Sequence, residues 1–286
     1  MKISNVHGRA VLVTAANEGI DIASASNDRF GPSPAQLYND WNAFRVWAAD
    51  ASGSAPHVRL DTSDLRSPSP QPRQILGVGL NYRDHAAEAG FDLPDSLPPV
   101  FVKFVSSLGS AHSTVTLPAG GNTDWEVELV VVISEEASNV PAEKAWDFVA
   151  GVTVGQDLSE RISQTTGPAP QFSLGKSFPG FAPVGPWLVT TDELADRDDL
   201  ALGCSVNGET MQHARTSLLL FPVTALISRI TNRITLYPGD MIFTGTPSGV
   251  GMARKPQRFL QPGDVLESWI EGIGEIRQTF VATQEA

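Results

Sequence analysis

Short apolar runs, separated from one another by glycine and proline, dominate the chain from about residue 75 onward. The runs are four to seven residues long, as buried strands are, and cover 75–80, 99–104, 127–133, 149–154 and 187–190. Two further runs, 241–245 and 265–270, each follow a Pro-Gly-Asp turn, and such turns lead into strands in rolls and barrels. The pattern predicts a mainly β domain over about residues 70–286.

Residues 1–66 have a different pattern and are predicted to form a small domain of their own. Residues 11–14 are typical of a short strand, and Ser33 can cap a helix that begins at Pro34. Helical spacing then brings four apolar residues onto one face: Leu37, Trp41, Phe44 and Ala48. Residues 67–74 contain three prolines and indicate a Pro-rich linker, which leaves 75–286 as the larger domain.

Composition and charge exclude several classes of partner. The 286 residues include 32 Asp and Glu but only 20 Lys and Arg, for a formal net charge of −12. An acidic chain without a basic cluster is a poor candidate for binding nucleic acid or anionic membranes. The longest apolar stretch, 217–227, is too short for a membrane span, and no signal-peptide pattern opens the chain. A single cysteine, Cys204, excludes an intramolecular disulfide, so these features predict a cytoplasmic protein.

Two glutamates stand at the start of the most apolar strand. Side chains alternate along a strand, so Glu126 and Glu128 project from the same face, and a hard divalent cation would relieve their mutual repulsion. Asp157 follows the apolar run 149–154 at the point where a strand would end, and it could supply a third carboxylate. The alternatives are a solvated strand end for the glutamates and a helix N-cap for Asp157.

One histidine has a context that suggests catalysis. His85 and Glu88 are three residues apart on a short helix that Gly90 would stop, so their side chains can form a hydrogen bond. A carboxylate that holds an imidazole is a common arrangement for a base that activates water. The alternative is a surface pair without function.

Two of the lysines lie in unusual places. Lys103 lies between phenylalanines and either faces water or lies near the site, whereas Lys176 follows a glycine and could stabilise a developing enolate. Arg161 and Gln164 follow Asp157 closely enough to bind the same anionic ligand. The loop 244–251 lacks the Gly-Lys-Ser/Thr ending of a P-loop, which argues against nucleotide binding, but its backbone and Thr246 could contact a carboxylate.

Taken in order, the motifs strongly resemble those of the fumarylacetoacetate hydrolase family. They are GLNYRDHAAE, FVKF, DWEVELVVVI, QDLSERISQ, GKSF-x4-PVGPW, VNGE-x2-Q and PGD-x3-TGTPSGVG, and they extend from about Ile75 to the C-terminus. The resemblance implies an α+β, mainly β fold, in which a mixed β-roll or β-sandwich catalytic domain follows a small α/β N-terminal domain. It also implies a homodimer.

The resemblance assigns roles to individual residues. It implies that Glu126, Glu128 and Asp157 hold Mg²⁺ or Mn²⁺, with Ca²⁺ as a non-catalytic occupant. The catalytic residues it implies are His85 with Glu88, on a lid, and Lys176. The substrate-binding residues it implies are Tyr82, Lys103, Arg161, Gln164, Gly245 and Thr246.

Three positions depart from the family pattern: Pro179, Gln156 and Ile162. None is a predicted ligand, so they bear on substrate identity rather than on metal binding.

The function implied is metal-dependent hydrolysis of a C–C bond in a small anionic 2-oxo or β-diketo acid, of acylpyruvate or fumarylpyruvate type, through an enolate. The same enolate chemistry also permits isomerisation of 2-hydroxyhepta-2,4-diene-1,7-dioate or decarboxylation of an oxaloacetate-type acid. A catalytically idle protein that binds metal and ligand in the acidic pocket is the non-enzymatic alternative.

Overall fold

Most of the described chain lies in strands. The structure, a computed structural model, describes residues 1–51, 57–88, 90 and 98–283. The strands in these ranges are β1 Lys2–Val6, β2 Arg9–Ala15, β3 Glu18–Asp21, β4 His57–Arg59, β5 Leu65–Arg66, β6 Ile75–Val78, β7 Val100–Val102, β8 Leu108–Gly109, β9 His112–Leu117, β10 Thr123–Asp124, β11 Val127–Ile133, β12 Val149–Gln156, β13 Ser159–Glu160, β14 Ala182–Val189, β15 Ala201–Val206, β16 Glu209–Arg215, β17 Met241–Phe243, β18 Val265–Ile270 and β19 Gly274–Ala282.

The helices are short. The α-helices are α1 Ile22–Ala25, α2 Pro34–Leu37, α3 Trp41–Asp50, α4 Arg83–Glu88, α5 Arg161–Thr165, α6 Phe172–Gly175 and α7 Val223–Thr231. The 3₁₀ helices are Tyr38–Asp40, Thr62–Asp64, Val105–Ser107, Ala142–Phe148, Thr191–Glu193, Thr216–Leu218 and Gly251–Ala253. Within the described ranges, none of these helices has both the length and the apolar character that crossing a membrane would require.

Two sheets pack on either side of one hydrophobic core. The large sheet has the order β4-β3-β2-β1-β14-β12-β11-β17-β6-β7, and a five-stranded sheet has the order β16-β15-β18-β19-β9. Every residue of β11 is buried, as expected for a strand covered on both faces. Its side chains alternate between the core shared with the five-stranded sheet, which includes Leu129 and Val131, and a second core that includes Val130 and Val132.

The N-terminal segment continues the large sheet. β1 pairs antiparallel with β14, so residues 2–4 lie against 187–189. The predicted helix begins at Pro34 with Ser33 as its cap, but the turn Tyr38–Asp40 divides it into α2 and α3. The four apolar residues predicted to share a face are all buried in the second core. The division of the chain at residues 67–74 stays a prediction.

An ion pair in this segment gives a pH-dependent prediction. Arg9 donates two hydrogen bonds to Asp21, at 2.6 and 2.8 Å, and they hold the pKa of Asp21 at about 2. Asp21 also caps α1 by accepting a hydrogen bond from the backbone of Ser24. Because the folded pKa lies below the unfolded value, the stabilisation is complete above about pH 4 and is lost as the pH falls toward 2.

We therefore expect Asp21→Asn to lower the free energy of unfolding at pH 7 by about 1 kcal/mol. Urea unfolding between pH 2 and 7 measures this loss, and the difference from wild type should shrink at the acid end. Asp50→Asn, at an exposed position, is the matched control. An Asp21→Asn difference that stays constant with pH would contradict the role given to this pair.

Candidate active site

Four strand ends meet at one edge of the large sheet. β11 begins where β12 ends, because Val127 lies opposite Gln156 in an antiparallel pair. β17 lies antiparallel to β11 and parallel to β6, so the residues after β17 and β6 reach the same edge. Asn81 ties these two ends together by donating a hydrogen bond to the carbonyl of Thr244 at 2.7 Å. The strand order therefore concentrates polar side chains at this edge.

The three predicted metal ligands lie together at this edge. Glu126, Glu128 and Asp157 are buried, and each offers a carboxylate oxygen within 4.8 Å of the others. The backbone amide of Asp157 donates to the carbonyl of Glu126 at 2.9 Å, which fixes the two residues side by side. Neither alternative fits, because the glutamates are not solvated and the N-cap of α5 is Glu160. That these residues hold a metal stays a prediction.

Two buried lysines contact the carboxylates. Lys176 donates to Glu126 Oε2 at 2.7 Å and to Asp157 Oδ2 at 2.6 Å. Lys103 donates to the other oxygen of Asp157 and is fully buried, so it does not face water. Burial lowers the pKa of Lys103, whereas the attraction of Asp157 and Glu126 outweighs burial at Lys176 and raises its pKa. Lys176 is therefore an ammonium group at the base of the site.

The two glutamates have opposite electrostatic surroundings. Burial favours the neutral acid at both, but Lys176 and Arg161 outweigh it at Glu126 and lower its pKa to about 2. At Glu128, burial and the charges of Asp157 and Glu126 raise the pKa well above its usual value. Glu128 accepts a hydrogen bond from the backbone of Gly245 at 2.7 Å, and no lysine or arginine of the described ranges forms an ion pair with it. Negative charge is thus incompletely balanced at Glu128.

The donor set fits a hard divalent cation. Four buried carboxylates face three buried cationic side chains; the carboxylates are Asp124, Glu126, Glu128 and Asp157, and the cations are Lys103, Arg161 and Lys176. Clustered carboxylate oxygens are the ligands that Mg²⁺, Mn²⁺ and Ca²⁺ prefer. In addition, the Tyr82 hydroxyl is buried without a hydrogen-bond partner among the described residues, and burial and the charge of Glu128 raise its pKa.

His85 and Glu88 form the pair that their spacing predicts. Both lie on α4, and His85 Nδ1 is 2.9 Å from Glu88 Oε1. Glu88 also accepts hydrogen bonds from the backbone amide of Gly249, at 3.0 and 3.1 Å. The loop after β17 therefore anchors α4 over the carboxylates, and Glu88 orients the imidazole.

Asp124 is a buried site residue that the sequence analysis did not single out. Its carboxylate accepts from Arg161 Nε at 2.9 Å and from the backbone amides of Gly251 and Met252 at 2.6 and 3.0 Å. Arg161 in turn contacts Glu126 Oε1 at 2.8 Å and donates to Gln164 at 3.0 Å. Asp124 thus aligns the guanidinium with the carboxylates. The available signal was a third acid in the motif DWEVE, on the same strand face as the two glutamates.

Asp124→Asn is expected to destabilise the protein by about 3 kcal/mol, because it removes the charge that pairs with a buried guanidinium. Urea unfolding at pH 7 measures the loss. Asp199→Asn is the matched control: Asp199 pairs with Arg215 on the surface, where an ion pair contributes about 0–1 kcal/mol. Equal effects of the two substitutions would contradict the account of Asp124.

A cavity of about 440 Å³ opens over these groups. Six of the predicted site residues line it: His85, Glu126, Arg161, Gln164, Lys176 and Thr246. Six others are not in its wall: Tyr82, Glu88, Lys103, Glu128, Asp157 and Gly245. The Thr246 hydroxyl donates a hydrogen bond to the carbonyl of Val127 and accepts one from Gln212, so its proton is already used within the protein.

Of the three positions that depart from the family pattern, one contacts the site. Gln156 is buried, and its Oε1 accepts a hydrogen bond from the backbone of Glu126 at 2.8 Å. Pro179 and Ile162 are exposed and lie outside the cavity wall. Gln156 is therefore the one that can affect ligand geometry directly.

Known proteins resemble this chain over most of its length. The sequence model described as fumarylacetoacetate (FAA) hydrolase C-terminal matches residues 74–281. A 2,4-didehydro-3-deoxy-L-rhamnonate hydrolase of a Sphingomonas species is 46% identical over 207 residues, which are 72% of each chain. Known relatives and structural neighbours include hydrolases, isomerases and tautomerases that act on small acids.

Solved structures share the fold. A Mycobacterium smegmatis protein, provisionally described as HpcE, is 56% identical with a TM-score of 0.94, and the match covers 99% of this chain and 100% of that one. Maleylpyruvate hydrolase of Sphingobium sp. SYK-6, in complex with manganese(II) and pyruvate, is 27% identical with a TM-score of 0.82, over 99% and 100% of the two chains. The resemblance predicted from the motifs is confirmed, and the chain belongs to the fumarylacetoacetate hydrolase family.

Proposed function

We propose that this protein is a divalent-metal-dependent hydrolase that cleaves a C–C bond in a small acylpyruvate-type acid. One observation carries the proposal: His85, which Glu88 holds, and Glu126, which belongs to the cluster with Glu128 and Asp157, line the same cavity. A base that activates water and a site for a Lewis acid are the two components that such a hydrolysis requires.

The carboxylates would hold Mg²⁺ or Mn²⁺. When bound, the cation would polarise the keto and carboxylate oxygens at the pyruvate end of the substrate and stabilise negative charge there. Support comes from the oxygen donor set and from the manganese in the related maleylpyruvate hydrolase. Ca²⁺ would occupy the same ligands without supporting turnover.

His85 would act as the base. Its Nδ1 is held by Glu88, so Nε2 is the nitrogen that takes a proton from water. The water oxygen forms a bond to the distal carbonyl carbon, and the C–C bond between this carbon and the methylene breaks. The electron pair stays on the methylene as a pyruvate enolate, which takes a proton from solvent, while His85 releases its own proton to solvent. The products are pyruvate and the carboxylic acid of the acyl group.

Lys176 would stabilise the enolate. Two of its three ammonium hydrogens are used by Glu126 and Asp157, and the side chain lines the cavity, so the third can point toward the substrate. A fixed positive charge in a buried site stabilises developing negative charge more effectively than water does. Arg161 would add to this charge from the other side of Glu126.

Isomerisation, tautomerisation or decarboxylation is the second candidate, because isomerases and tautomerases occur among the relatives. These reactions need the enolate but no attack by water. They would use the carboxylate cluster and Lys176, and they would not need His85 to activate water.

Product analysis of the chelator-treated protein, with and without added Mn²⁺, tests the proposal. The substrates are acetylpyruvate, fumarylpyruvate, oxaloacetate and 2-hydroxyhepta-2,4-diene-1,7-dioate, and the products are identified by NMR. We expect pyruvate and the matching carboxylic acid in equal amounts from an acylpyruvate, only with metal. Turnover of oxaloacetate or the dienedioate alone would overturn the hydrolase proposal in favour of the second candidate.

A further inference from the structure

We infer that the acyl end of the substrate is uncharged and apolar, so acylpyruvates with a hydrocarbon or aryl tail are preferred over those with a second carboxylate. The inference rests on the proposed function, because it assumes that the pyruvate end lies on the polar groups. It separates this protein from enzymes whose substrates, such as maleylpyruvate, are diacids.

The cavity has a polar base and an apolar wall. The wall is formed by Leu80, Pro99, Phe101, Pro170, Phe172 and Met252. The rings of Phe101 and Phe172 pack edge to face, with centroids 5.7 Å apart. The wall begins directly beside the polar base, since Lys176 Nζ lies 5.0 Å from the centroid of the Phe101 ring. A substrate whose carboxylate and keto group contact the base must extend its other end along this wall.

One wall residue has a backbone conformation that its side chain disfavours. Leu80 has a φ of 55°, in the left-handed region that bulky residues rarely adopt. Such strain is retained where the surrounding structure holds the residue in place, most often at binding and catalytic sites. The large apolar side chain is therefore held at the cavity at an energetic cost.

The cationic groups of the cavity already have anionic partners. Arg161 contacts the carboxylates of Asp124 and Glu126 and donates to Gln164, so two anionic partners already balance its charge. Lys176 is held at the base by two carboxylates. No other lysine or arginine of the described residues lines the cavity, and the residues outside the described ranges include no lysine, arginine or histidine.

A carboxylate on the acyl end would consequently lose its hydration without gaining a lysine or arginine that is free of an anionic partner. Burying an unpaired charge costs several kcal/mol, whereas burying an apolar group of the same shape is favourable. The wall thus discriminates against diacids by desolvation rather than by size.

Binding of two inert 2-oxo acids to the Mn²⁺-loaded protein tests the inference directly. They are 2-oxoadipate and 6-methyl-2-oxoheptanoate, in which an isopropyl group replaces the distal carboxylate. Calorimetry should show that the isopropyl compound binds at least about tenfold more tightly. Equal or tighter binding of the diacid would overturn the inference.

Turnover of a matched pair separates this result from a failure of the proposed function. Succinylpyruvate and 4-methylpentanoylpyruvate differ by the same replacement, and kcat/KM should favour the second by at least about tenfold. If neither yields pyruvate, the proposed function fails, and the binding pair still decides the preference of the wall. If both are hydrolysed with no preference, the proposed function stands and the inference is overturned.

A charge placed in the wall should reverse the preference. Phe172→Arg is expected to raise the affinity for 2-oxoadipate relative to the isopropyl compound. Leu174→Arg is the matched control, because it adds the same charge to α6 at a position that is 71% exposed and outside the cavity wall. The same shift in relative affinity in Phe172→Arg and Leu174→Arg would contradict the assignment of Phe172 to the wall that contacts the acyl end.

Discussion

Glu128→Gln is expected to weaken Mn²⁺ binding by at least about a hundredfold and to abolish metal-dependent turnover without destabilising the metal-free protein. The substitution removes a carboxylate from the cluster. It also replaces a buried acid whose charged form is disfavoured by burial and by two neighbouring carboxylates, and which forms no ion pair with the described residues. The hydrogen bond from Gly245 can persist to the amide oxygen. Calorimetric Mn²⁺ titration and urea unfolding in a chelator measure the two effects.

Glu126→Gln is the contrasting variant. It should weaken metal binding similarly, but it removes a charge that pairs with both Lys176 and Arg161. Lys176 keeps Asp157 as a partner and Arg161 keeps Asp124. We therefore expect the free energy of unfolding of the metal-free protein to fall by about 1–3 kcal/mol. Equal stability of the two variants, or Mn²⁺ binding by Glu128→Gln at wild-type affinity, would contradict the account of the cluster.

His85→Ala is expected to reduce the hydrolytic kcat by about a hundredfold to ten-thousandfold while leaving Mn²⁺ affinity within about twofold. The imidazole is held by Glu88, lines the cavity and would be the base for water. Enolisation of bound pyruvate needs no water attack, so exchange of its methyl protons in D₂O should persist. The exchange is followed by NMR and the hydrolysis by loss of the diketone enol absorbance.

Arg83→Ala is the control, because Arg83 is exposed on the same helix. It should match wild type in both assays. Equal loss of exchange and hydrolysis in His85→Ala would contradict the assignment of His85 to water activation.

The site was largely predictable because its acids stand at the ends of strongly apolar strands. Alternation along β11 placed Glu126 and Glu128 on one face, and the end of β12 supplied Asp157. The spacing of His85 and Glu88 likewise predicted their contact. The roles of these five residues and the formation of a homodimer stay predictions.

Other features depend on long-range contacts that a local pattern does not contain. Asp124 is held by Arg161 and by the loop at Gly251, which come from distant positions in the sequence. Lys103 lies between phenylalanines, where the sequence left open whether it faces water, and Asp157 holds it in the interior. The pairing of β1 with β14 joins residues about 185 positions apart, and neither strand specifies its partner.

The most direct test of the account is a Mn²⁺ titration of metal-stripped protein during hydrolysis of 4-methylpentanoylpyruvate. We expect no hydrolysis without metal, and full activity once about one Mn²⁺ per chain is bound at the cluster of three carboxylates. Hydrolysis that persists in the stripped protein at the metal-loaded rate would contradict it.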